Sequence, residues 1–202
     1  MVSQKASRPA RQDDVVALTS ETWHLFEELF GPGGLQGGCW CAFFRMAARD
    51  FDQSTPAEHK QYVRTTVCQG HPFGLLAVVD GRAQGWIAVG PRLANVRLAK
   101  STVARVPAND DLHTIWSVTC FYIRRGARGS GLTDTLLGSA VRYAKEHGAG
   151  IIEGYPVVKR GAHLSASDLY HGELRTFLNA GFQCVEKRGV RRALVRLVLT
   201  KD

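Results

Sequence analysis

Arg128-Gly129-Ser130-Gly131-Leu132-Thr133 is the stretch on which the reading of this 202-residue chain turns. It follows an apolar run over residues 115–123 that reads as a strand, and it opens residues 133–147, which read as a helix. A glycine-rich turn between strand and helix leaves several backbone N–H groups unpaired and pointing the same way. The helix N terminus adds partial positive charge there. The two features together predict a site for a phosphate or diphosphate group.

Two familiar phosphate loops fit poorly. Gly126 to Thr133 has P-loop spacing, but the lysine that must reach the outer phosphates is replaced by Leu132. A dinucleotide fingerprint needs a third glycine and an acidic residue at the end of a second strand. Gly129, Gly131 and Asp134 do not supply that pattern.

The segment resembles the acyl-coenzyme-A-binding motif of the GNAT superfamily of N-acetyltransferases. Arg128, Gly131 and Thr133 take the motif's places, with Thr133 where the family has a smaller residue. The likeness extends to the preceding strand, Val118-Thr119-Cys120-Phe121-Tyr122-Ile123, to Leu136-Leu137 in the helix and to Ala180-Gly181-Phe182 near the end. Ser7-Arg8-Pro9-Ala10 with Asp13-Asp14 resembles the family's first strand and helix start. The resemblance implies an α/β fold with a mixed central sheet flanked by helices, and acetyl-coenzyme A as co-substrate. Arg128, Gly129, Ser130, Gly131, Leu132 and Thr133 would bind the cofactor. Backbone groups of Phe121, Tyr122 and Ile123 would hold its pantetheine arm, and an N–H there would stabilise the oxyanion.

Composition sets the frame. The length suits one domain spanning residues 1–202, and 45% hydrophobic with 22% charged residues is ordinary for a globular protein. No run approaches a membrane span, and the polar first twelve residues lack a signal-peptide core. Five cysteines show no disulfide spacing, so a reduced, cytoplasmic protein is expected. The net charge of +8 is scattered. Its densest group, Lys187, Arg188, Arg191, Arg192 and Arg196, lacks the interleaved aromatics of a single-strand groove, so no nucleic-acid partner is expected. Cys39-x-Cys41 lacks a second ligand pair at zinc spacing, so no metal is expected.

Along the chain, Asp13 or Asp14 caps a predicted helix through Phe30, and residues 39–44 read as a strand. Thr55-Pro56 opens a helix to about Cys68. Residues 73–79 and 83–89 read as a hairpin around Asp80-Gly81. Residues 91–109 read as a loop, 151–157 as a strand and 167–179 as a helix. Two closing strands follow, over 182–185 and 193–199.

Acetyl transfer to an amine requires the amine to lose its proton. Glu153, on a strand in an apolar run, is the first candidate base, because burial would raise its pKa; an ion-paired glutamate is the alternative. His113 is the second candidate. Where the family often carries an acidic tyrosine, five residues before the Gly-Phe aromatic, this chain has Phe177. Tyr170 is therefore the candidate acid, unless the thiolate leaves without one. Glu153-Gly154-Tyr155-Pro156 with Tyr170-His171-Gly172 resembles a subgroup of the family. Trp40, Tyr155, Asp168 and Glu173 are the candidate substrate contacts.

The expected activity is direct transfer, without a nucleophilic cysteine, to a primary amine of a small molecule. By fold-level analogy that includes an aminoglycoside-type antibiotic such as kasugamycin. A protein amine as acceptor and a non-catalytic acyl-coenzyme-A-binding module are the alternatives. A homodimer is expected by analogy with the family.

Overall fold

A computed structural model describes Arg11, residues 14–158 and residues 169–200, with only the backbone of Leu169. The elements are β1 (Val15–Ala17), α1 (Trp23–Phe30), α2 (Ala48–Gln53), α3 (Pro56–Cys68), β2 (Gly74–Val79) and β3 (Arg82–Pro91). They continue with β4 (Ile115–Ile123), α4 (Leu132–Glu146), β5 (Ile151–Gly154), α5 (Leu174–Asn179), β6 (Gln183–Arg188) and β7 (Arg192–Val198). The strands form one sheet in the order β1-β2-β3-β4-β5-β7-β6. Only β4 and β5 run parallel. A parallel pair needs a crossover, and α4 supplies it. This is the mixed, helix-flanked sheet expected from the sequence.

The sheet is covered on both faces, so its inner strands read as apolar runs rather than alternating ones. Leu132, Leu136, Leu137, Ala140 and Ala144 recur at helical spacing along α4 and pack with Leu75, Ile87, Trp116 and Ile152. On the other face Phe26 and Phe30 of α1 and Val63 of α3 pack with Leu76 and Trp86. The Thr55 side chain accepts from the Glu58 N–H at the start of α3, and Glu58 accepts from the Thr55 N–H at 2.7 Å. This reciprocal cap explains why the helix starts where the sequence reads. Asp80 and Gly81 take φ of 51° and 75°, the left-handed pair a two-residue hairpin needs.

Three segments depart from the sequence reading. The first predicted helix is split, with Val15–Ala17 pairing as a strand against β2 and the helix starting only at Trp23. Residues 39–44 are turns, not a strand, because Trp40 and Cys41 take φ of 44° and 54°. The left-handed kink turns the Trp40 indole inward onto Phe30, 5.7 Å away between ring centroids. A Cβ at Gly34 would lie 2.1 Å from that indole, so only glycine fits the crossing loop. The last helix begins at Leu174; the predicted start at Ser167 lies outside the described residues, as do Ser7-Arg8-Pro9-Ala10 and Asp13. Among the described residues no helix is long and apolar enough to cross a membrane.

Candidate active site

The site forms where β4 and β5 part. They pair from Ile115↔Ile151 to Val118↔Gly154 and no further. At that point β4 carries an extra residue, Thr119, between its pairings Val118↔Val89 and Cys120↔Ala88 with β3. A bulge of this kind bends the strand and re-aims its side chains. From Cys120 to Ile123, β4 stays paired with β3, but no strand pairs its other edge among the described residues.

A cavity of about 710 Å³ opens along that free edge. Residues 119–123 line it, and beyond them Arg128, Gly129 and Thr133. A second hollow, about 420 Å³, shares Ile123, Arg128, Gly129 and Thr133 and adds Gly131, Leu132 and Asp134. The two are contiguous from the unpaired strand edge to the N terminus of α4.

That terminus is built to receive an anion. Gly129 and Gly131 have φ of 79° and 81°, and a Cβ on either would meet nothing within 4 Å. The N–H groups of residues 129–133 donate to no backbone carbonyl among the described residues. The Ser130 hydroxyl donates to the Ala127 carbonyl at 2.7 Å, which ties the turn to itself. Arg128 is exposed and its Nε donates to the Ile123 carbonyl at 3.3 Å, which ties the loop to the end of β4. Leu132, at the P-loop lysine's place, is 4% exposed and belongs to the core under α4. The residues present thus fit a diphosphate and not a nucleotide-hydrolysing loop.

Of the proposed chemical groups, Tyr170 and Glu173 line the cavity. They belong to a turn (Leu169–His171) and the residues after it, which fill the gap opened between the strands. The Val157 N–H donates to the Gly172 carbonyl at 2.9 Å, and the Leu174 N–H to the Val157 carbonyl at 3.0 Å. His171 is buried behind this wall with its ring tilted 39° to that of Tyr170, 3.9 Å between centroids.

Glu153 is placed elsewhere. It has no exposed surface, and its carboxylate is shared between two arginines. One oxygen accepts from Arg92, from the Tyr155 phenol and from Ser117 at 3.2 Å. The other accepts from Arg196 Nε at 3.2 Å and Nη2 at 3.0 Å, and Asp110 lies 2.6 Å from the same guanidinium. Two carboxylates and two guanidiniums balance. The ion-paired alternative is therefore the one the fold adopts, and Glu153 is in no position to receive a proton from an amine in the cavity.

Three further expectations are corrected. Tyr155 is 2% exposed and belongs to the Glu153 network; burial first, then the neighbouring carboxylate, push its phenol well above the usual range. His113 is exposed on a turn at the opposite end of β4 from the cavity. Trp40 is a core residue, and its neighbours Cys39 and Cys41 reach the cavity instead. Asp168 lies outside the described residues. Phe177, at the family's tyrosine position, is fully buried against Phe121 and Phe182.

Sequence reasoning missed the wall formed by Leu35, Gln36, Phe43 and Phe44. No motif marks these residues; only the cluster of glycines around them signals a loop that must fold closely onto the sheet.

The mixed seven-stranded sheet flanked by helices is the fold of solved GNAT acetyltransferases. Among solved structures, yncA of Salmonella typhimurium, assigned as an acetyltransferase and solved with its cofactor acetyl-CoA, is 14% identical with a TM-score of 0.54. The match covers 93% of this chain and 94% of that one. A Desulfovibrio desulfuricans protein assigned to the GNAT family of acetyltransferases matches at 14% identity, 92% and 98% coverage and a TM-score of 0.51. The ribosomal-protein-alanine N-acetyltransferase of Brucella melitensis matches at 15% identity, 92% and 99% coverage and a TM-score of 0.52. No protein-family model and no curated protein matches the sequence.

Proposed function

We propose that the chain is an acetyl-coenzyme-A-dependent N-acetyltransferase that acts on a primary amine of a small molecule. The observation that carries this reading is the continuity of one cavity from the α4 N terminus along the free edge of β4. The fold shared with acetyltransferases supports it.

The N–H groups of residues 129–133 would hold the diphosphate, with the positive end of α4 behind them. The free β4 edge at Phe121, Tyr122 and Ile123 would take the amides of the pantetheine arm as an added strand does. When bound, acetyl-coenzyme A supplies the acyl carbon in activated form, as a thioester. An N–H on the same edge supplies a fixed donor for charge developing on the acyl oxygen. Glu173 holds the acceptor's ammonium and passes its proton to solvent. The Tyr170 phenol protonates the departing thiolate.

No cysteine need act as nucleophile. Contact with the Cys41 thiol and then burial hold Cys39 well above the usual thiol range. Cys41 is raised by contact with Cys120. Both stay thiols, and a thiol is a poor nucleophile.

Calorimetric titration with acetyl-coenzyme A, with ATP and NAD as controls, tests the first half of the reading. Selective binding of the acyl cofactor is expected. Thiol release and a 42 Da product shift (roughly an acetyl group replacing a proton) over an amine panel that includes kasugamycin and an N-terminal peptide test the second. Cofactor binding without turnover of any amine would reduce the protein to a binding module.

A further inference from the structure

The cavity has two ends of opposite chemistry. Arg128 and the α4 N terminus make one end cationic. At the other, Leu35, Phe43 and Phe44 form the wall with Cys39 and Cys41, whose thiols stay uncharged. Phe43 is 39% exposed and stands edge-on to Phe44, 5.1 Å between centroids. The Arg97 guanidinium sits 4.0 Å over the Phe43 ring, so positive charge stands next to this wall. Tyr170, 37% exposed, also lines the cavity, as do Phe121 and Tyr122. Asp134 lines the α4 end, and among the described residues of the larger hollow Glu173 is the one carboxylate.

We infer that the acceptor is a primary amine with a single positive charge on an apolar body, aryl or alkyl, and not a polyamine or an aminoglycoside. The inference rests on the acetyltransferase reading above. Among the described residues of this wall, an ammonium group finds one counter-charge, Glu173. The rest of the molecule meets mainly aromatic rings, an aliphatic side chain and thiols, with Gln36, Thr119 and Thr176 beside them, a lining that pairs best with apolar surface. A second and third ammonium group would be desolvated against Phe43 and Phe44 with Arg97 behind them. The chain's net charge of +8 opposes their approach as well. Selection here works by exclusion as much as by attraction.

The test compares phenylethylamine, tryptamine and hexylamine with spermidine and kasugamycin, by kcat/KM for acetyl transfer. Each amine is also titrated by calorimetry into protein saturated with coenzyme A. The monoamines are expected to exceed spermidine and kasugamycin at least 100-fold in kcat/KM, and to bind where those two do not. Glu173→Gln should raise KM for every monoamine at least tenfold and leave the affinity for acetyl-coenzyme A unchanged. Phe43→Ser, at an exposed position, should weaken phenylethylamine at least fivefold and leave methylamine unaffected.

Equal or better use of spermidine or kasugamycin would overturn the inference and leave the acetyltransferase reading standing. So would cofactor binding with no monoamine bound. Failure to bind acetyl-coenzyme A would remove the underlying reading, and this inference with it.

Discussion

Glu153 and Glu173 stand on either side of the place where β4 and β5 part, and the fold uses them in opposite ways. Below the parting point the strands are paired, dry and filled, and Glu153 is locked between Arg92 and Arg196. Above it the strands are splayed, and Glu173 lines the cavity between them. A glutamate in an apolar strand reads as an activated base because burial alone would raise its pKa. Whether burial comes alone depends on partners from remote parts of the chain. Arg92 lies 61 positions away and Arg196 43, so local spacing does not reveal them. The closed half thus spends its charge on joining β3, β5 and β7, and the open half keeps its charge for a ligand.

The largest effect is expected from breaking the closed half. Glu153→Gln leaves two buried guanidiniums facing a single carboxylate, Asp110. Removing one partner of a buried charge network costs about 3–5 kcal/mol. For a chain of this size that lowers Tm by about 10 °C, read by thermal unfolding. At a temperature where the variant is folded, kcat/KM should stay within about threefold of the parent. Loss of kcat with Tm unchanged would mean that Glu153 is the base after all, and the contrast between the two carboxylates would collapse.

Next comes the anion end of the open half. Gly131→Asp places a carboxylate in the space before α4, where no atom now stands within 4 Å. The expected loss is at least about 100-fold in affinity for acetyl-coenzyme A, from repulsion at the helix terminus. Gly131→Asn keeps the shape, tolerates a left-handed φ and carries no charge. It should lose less than about tenfold, which separates charge from strain. Equal losses in the two variants would assign the effect to the backbone instead.

The contrast also explains what was legible in the sequence. The strand, glycine turn and helix from Ile115 to Glu146 are encoded locally, by an apolar run, by residues that accept positive φ and by helical periodicity. They were readable down to the residues at the α4 terminus. Thr55 and Glu58, and Asp80 with Gly81, are equally local. The wall at residues 35–44 is not. Its path is fixed by the Trp40 indole crossing Gly34 and docking on Phe30, a tertiary event that overrides the strand-like pattern of Cys39 to Phe44. Glu153 on β5 and Tyr155 just past its end sit two residues apart in extended chain and so share a face. Their mutual contact was foreseeable, but not the arginines that turn that face inward.

Within the open half, Tyr170→Phe removes the phenolic hydroxyl and keeps the ring. General acid catalysis contributes typically about 10²–10⁴-fold, and a thiolate needs it least of all leaving groups. A fall in kcat of about 10–100-fold is expected, with acetyl-coenzyme A affinity unchanged. The loss should shrink when the acyl donor carries a better leaving thiol. An unaltered kcat would leave Glu173 as the only ionisable side chain of the wall with a role in the reaction.

The smallest effect concerns the residue on the border. His171 sits on the turn that fills the gap between β4 and Val157, and it is 6% exposed. Burial first, and the charge of Arg192 second, pull its pKa from the usual 6.5 down to about 2. It is therefore neutral in the folded protein, and in the unfolded chain it takes up a proton below pH 6.5. Between these two values the unfolded state binds more protons, so stability rises with pH there. His171's contribution is complete above pH 6.5 and declines as the pH falls. About 1.4 kcal/mol should be lost between pH 7.5 and 5.5, a fall in Tm of about 3–5 °C. His171→Gln cannot titrate, so its Tm should fall less over the same interval, and the difference between the two proteins isolates this residue from the other histidines. If His171 belongs to the closed half, acetyl-coenzyme A affinity will not follow that difference. If affinity falls with it, the turn moves with the ligand, and the border between the two halves lies on the other side of His171.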